Sequence, residues 1–156
     1  MRRENLSIDS CIIKNIQETN PKSGIDIEPE GVETLPFLEN LTRYNSYLEN
    51  CSSGLEILLQ NLANRGLTTQ INVDNIKTNG CDSAVNFRNL LGSLKGSINI
   101  TNAHFLDTKY GAIFVNNYKS TDTPHVTMSN ITIENFNTTS SQNDYYNHVF
   151  TFIKLP

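Results

Sequence analysis

Three acidic residues stand close together in the stretch SGIDIEPE, residues 23–30.

 The three are Asp26, Glu28 and Glu30, and Glu56 occupies the matching place in SGLEI, 30 residues further on. On an extended strand Asp26 and Glu28 face the same side, about 6.6 Å apart, which is twice the rise per residue. Inverting glycosidases hold their two carboxyl groups about 6.5–9.5 Å apart and retaining ones about 5–5.5 Å apart, so this patch has room for either geometry. Crowding raises the pKa of one carboxyl group, as a general acid requires. The same acids could instead hold Ca²⁺, which takes several carboxylate oxygens, or form the wet side of an ordinary strand. Asn86, Arg88, Phe114 and Tyr110 extend the candidate surface. Arg88 offers a fork suited to carboxylates, with an ion pair to Asp82 as its plainer role. An outward Phe114 and the tyrosines are platforms for sugar rings.

These residues need a scaffold, and the chain supplies one by repetition. Five segments align: LSIDSCIIKNI from Leu6, LTRYNSYLENC from Leu41, INVDNIKTNGC from Ile71, INITNAHFLDT from Ile98 and VTMSNITIENF from Val126. Each alternates apolar and polar residues, the period of a strand with one buried face. A second short strand follows each: SGIDI, SGLEI, SAVNF, GAIFV and, after the insert NTTSSQNDYY, HVFTF. Stacking the repeats in parallel predicts inward columns Ile25–Leu55–Val85–Ile113–Phe150 and Ile27–Ile57–Phe87–Val115–Phe152. The outward columns are Asp26–Glu56–Asn86–Phe114–Thr151 and Glu28–Leu58–Arg88–Asn116–Ile153. Gly24, Gly54, Ala84 and Ala112 form a column of small residues. Ser10, Asn45, Asn75, Asn102 and Asn130 form a column of turn residues that tolerate left-handed backbone. Arg43 interrupts the column Ile8, Val73, Ile100 and Met128.

This pattern resembles the right-handed parallel β-helix superfamily, the pectate-lyase-like group that includes polygalacturonases and polysaccharide-degrading phage tailspikes. GIDIEPE at 24–30 and LENLTRYNSYLENCSSGLEI at 38–57 resemble its pectate-lyase-like branch most closely. The repeats and the resemblance predict an all-β right-handed parallel β-helix of about five rungs over residues 1–156 as one domain, and its uncapped ends predict either a piece of a longer coil or another subunit that covers them. It also implies a groove for an extended polysaccharide. The NTD, DD, GHG and RIK motifs of polygalacturonases are absent, and with no Trp in the chain there is no WiDH stretch. No catalytic residue is therefore carried over from the family.

Three functions follow as expectations. The first is a glycoside hydrolase or polysaccharide lyase with Asp26, Glu28 and Glu56 as its acids and Asn86, Arg88, Phe114 and Tyr110 as substrate contacts. The others are a non-catalytic glycan- or receptor-binding module and a structural shaft. Three-fold assembly and an extracellular or virion-associated setting are implied only by the resemblance. A formal charge of −4 with scattered Lys and Arg excludes a basic nucleic-acid surface. No apolar run reaches transmembrane length, and no signal-peptide h-region follows Met1. Three cysteines without a CxxC pair suggest buried, reduced packing for Cys51 and Cys81, and the scattered histidines do not suggest a metal triad.

Overall fold

The computed structural model describes residues 3–17, 23–27, 37–58, 68–88, 95–109, 111–118, 125–136 and 150–154. The regular elements among them are all strands, and every pairing between those strands is parallel. The strands fall into three lanes. The first holds β1 (Arg3–Asp9), β4 (Phe37–Tyr44), β7 (Thr68–Asp74) and the first halves of β10 (Lys95–Leu106) and β12 (His125–Glu134). The second holds β2 (Ile12–Lys14), β5 (Ser46–Glu49), β8 (Ile76–Asn79) and the second halves of β10 and β12. The third is a separate five-stranded sheet of β3 (Ser23–Ile27), β6 (Ser53–Leu58), β9 (Ser83–Arg88), β11 (Gly111–Tyr118) and β13 (Phe150–Lys154).

The register follows the sequence columns. Leu6 pairs with Leu41, Leu41 with Ile71, Ile71 with Ile98, and Ile98 with Val126. In the third lane Ile25, Leu55, Val85, Ile113 and Phe150 pair in succession, as do Ile27, Ile57, Phe87, Val115 and Phe152. Leu41, Leu55, Ile57, Ile71, Val85, Phe87, Ile98 and Ile100 are fully buried. Burying one such side chain contributes about 1.5–3 kcal/mol, so the columns form the cohesive core. Gly54 belongs to the small column for a steric reason: a Cβ there would lie 2.5 Å from the Ala84 carbonyl oxygen.

Corners between lanes one and two are made by Ser10, Asn45, Asn75, Asn102 and Asn130, all with φ between 46° and 55°. An ordinary L-residue pays about 1–2 kcal/mol in that region, which Asn tolerates best after Gly. Side chains link these corners along the stack. Asn130 Nδ2 donates to Asn102 Oδ1 at 2.6 Å, Asn75 Nδ2 to Asn45 Oδ1 at 2.8 Å, and Asn45 Nδ2 to Asp9 Oδ1 at 3.0 Å. Asn102 departs from the column and donates to Asp74 Oδ1 at 2.8 Å.

Arg43 does not leave the inward column: it pairs with Ile8 and Val73 and is fully buried. Its Nη1 donates to the carbonyls of Tyr44 and Ile8, while Nε and Nη2 have no hydrogen-bond partner. Desolvation pulls its pKa below the usual arginine range. A buried, half-satisfied cation is a cost that a well-packed apolar side chain removes. Arg43→Met should therefore leave stability unchanged or raise it, by up to about 4 kcal/mol, in urea unfolding. A loss of stability would show that the guanidinium contributes favourably.

Candidate functional site

The third lane carries the first candidate surface. Asp26, Glu56, Asn86, Phe114 and Thr151 pair in succession as the sequence columns require, and Arg88 pairs with Leu58 and Asn116. Asp26 is exposed, whereas Glu56 and Asn86 are each only 7% exposed. A solvated strand face was the plainest expectation for this column, and its middle is buried instead. Ser23 Oγ donates to Glu56 Oε2 at 2.9 Å, and Asn86 Oδ1 has no hydrogen-bond partner. Glu28 and Tyr110 lie outside the described residues. Among the described residues no group of three or more His, Cys, Asp or Glu side chains is placed to hold a metal ion.

The remaining sequence candidates are less productive. Cys51 and Cys81 are buried and free, and burial pushes the Cys81 thiol up to about 12, so it stays protonated at neutral pH. His104 lies 3.1 Å from a Glu134 oxygen, His125 is exposed, and His148 lies outside the described residues.

A second set of corners, between lanes two and three, was not anticipated. It consists of Asn15, Asn50, Gly80, Asp107 and Asn135, with φ between 52° and 66°. The signal was present in the sequence: each residue lies five positions after its counterpart in the first corner column. Gly80, with φ 66°, leaves room that the Asn50 carboxamide fills: a Cβ there would lie 2.6 Å from Asn50 Oδ1, which would have to move.

Along this second corner runs an open groove of about 560 Å³. Every repeat lines it: Gln17 from the first, Asn50 from the second, Gly80 from the third, Asp107 and Lys109 from the fourth, Asn135 and Phe136 from the fifth. Four steps of about 4.8 Å make the groove about 19 Å long. Asn50 Nδ2 donates to Asn15 Oδ1 at 3.2 Å, and there the ladder stops. Among the described residues no side-chain hydrogen bond reaches Asn50 Oδ1, Asp107 or Asn135.

The first corner differs. A groove of about 400 Å³ runs beside it, lined by Asn75, Asn102, Asn130, His104 and Glu134 among others. Its amides are taken up by one another and by Asp74, whose Oδ1 also accepts from Thr101 Oγ1 at 2.6 Å. The amides of the first corner thus bond to one another and to Asp74, whereas at the second corner the side-chain bonding among the described residues ends at Asn50. Comparison with known proteins finds no counterpart: no family model matches the chain, and no curated protein or solved structure is significantly similar to it.

The closed corner has a measurable signature. Hydrogen bonds from Thr101 and then Asn102 hold the Asp74 carboxyl below its ordinary value of 3.8. A carboxyl group lowered in the folded state stabilises the fold above its unfolded pKa, and that contribution is lost as the pH falls through the folded value. Wild type should therefore lose melting temperature as the pH drops below 3.8, and Asp74→Asn should lose less over the same interval. Parallel curves for the two proteins would contradict the assignment.

Proposed function

We propose that the chain is a right-handed parallel β-helix of five rungs that binds an extended polysaccharide along the corner between its second and third lanes. Support for the coil comes from the in-register parallel pairing of residues about 30 positions apart in all three lanes. Right-handedness follows from the strong preference of parallel crossovers for that hand. The single observation that carries the binding function is the groove that every repeat lines, with amide and carboxylate groups left unused along it. Hydroxyl-rich chains suit such a surface because each hydroxyl both donates and accepts, and Phe136 adds an apolar patch for a ring face. A module of this kind fits an extracellular or virion setting, with three-fold assembly as one way to present several grooves.

Gly80 provides the test. Gly80→Asn suits the left-handed backbone better than most residues, but its Cβ must displace Asn50 Oδ1 and fill the middle of the groove. Affinity electrophoresis against a panel of soluble polysaccharides should show retardation of wild type by at least one polymer. Gly80→Asn should weaken it by about tenfold or more, the effect of losing about 1.4 kcal/mol. Unchanged retardation in a folded variant would move the binding site elsewhere.

A second reading, bond cleavage, is favoured by one observation: exposed Asp26 pairs in register with buried Glu56. Two carboxyl groups on adjacent strands are the residue types that glycoside hydrolysis uses. Glycoside hydrolysis predicts new reducing ends without ultraviolet absorbance, and elimination predicts both. Either activity should fall at least a hundredfold in Asp26→Asn/Glu56→Gln, and a chelator would expose any dependence on Ca²⁺. Activity that survives the double change would clear these acids of a catalytic role.

A further inference from the structure

The groove's charges show which polysaccharides it selects, an inference that rests on the glycan-binding reading. Most ionic groups around the second corner already have partners. Lys109 Nζ lies 2.6 Å from Asp82 Oδ1. Glu49, next to Asn50, lies 2.7 Å from Lys14 Nζ. Glu134, next to Asn135, lines the first corner's groove instead of this one. Asp107 is different. Its backbone N–H donates to the Glu134 carbonyl at 3.0 Å, which fixes the corner. Its exposed carboxylate has no ion-pair or side-chain hydrogen-bond partner among the described residues.

Space is arranged around the same group. The Asn50 carboxamide reaches over Gly80, which has no side chain of its own. Between the Asn50 and Asp107 corners lie two steps, about 9.6 Å, with no side chain rising from the corner between them. A ligand seated in that notch meets an amide oxygen on one side and an unpaired carboxylate on the other. Both are acceptors. The other groups at this corner are the neutral side chains of Gln17 and Asn135, the ring of Phe136, and Lys109, whose Nζ is paired with Asp82.

We propose that the groove selects neutral and amino-sugar polymers over polyuronates, with Asp107 as the specificity-determining residue. Its two oxygens accept from neighbouring ring hydroxyls or pair with a ring ammonium group. A uronate carboxylate placed in the same notch would face Asp107 with Lys109 already engaged, and like charges brought together oppose binding.

The experiment titrates the full chain with a soluble β-glucan, a glucosamine polymer and polygalacturonate at low and at moderate salt. Wild type should bind the first two and bind polygalacturonate about tenfold more weakly or worse. Asp107→Asn should reduce the preference for the glucosamine polymer over polygalacturonate by about tenfold, with the change shrinking as salt rises. Asp9→Asn controls for net charge: it removes the same charge at the other corner and should leave the preference unchanged. Polygalacturonate binding as tightly as the glucan, or an equal effect from Asp9→Asn, would overturn the assignment while leaving glycan binding intact. Failure to bind any polymer would overturn the glycan reading, and this inference with it.

Discussion

Left-handed backbone at two corners of every repeat is the constraint on which the rest of the structure depends. Each corner turns the chain between lanes without a long loop, so strands about 30 residues apart arrive in register. Nine described non-glycine residues adopt positive φ, and all are Asn, Asp or Ser. These side chains bond locally and tolerate a conformation that β-branched or bulky residues resist. Once the corners are fixed, the apolar columns follow. A slip of one residue would turn every inward side chain outward, so core and corners enforce the same register.

The two corners use similar residues to different ends. In the first, amides and Asp74 satisfy one another along the stack. In the second, Gly80 breaks the ladder, and the groups beyond it face open space. Self-satisfied polar ladders stiffen a fold, whereas exposed groups outside a ladder stay open to solvent or to a ligand. That contrast is the ground for proposing the second corner's groove, rather than the first's, as the binding surface.

Much of the architecture was legible in the sequence because period-two alternation and repeat spacing specify a parallel register directly. The columns through Leu55 and Ile57 and the delayed fifth strand at Phe150 pair where the spacing places them, and Gly54 lies against the Ala84 backbone. Solvent exposure was less legible. Glu56 and Asn86 stand in an outward column yet are buried, because alternation reports which side of a strand a residue faces and says nothing of what covers that side. Arg43 taught the reverse, an apolar position kept by a charged side chain. The second corner was missed because its turn residues differ in type: Asn, Gly and Asp share a backbone conformation and do not look alike as letters.

Cross-strand nuclear Overhauser contacts test the register most directly. In uniformly labelled protein, the backbone protons of Leu41 should contact those of Ile71, Ile71 those of Ile98, and Ile98 those of Val126. Contacts along that column in parallel order would establish the stack on which both corners and the groove rest. Antiparallel contacts between neighbouring segments, such as Phe37–Tyr44 against Ser46–Glu49, would contradict it.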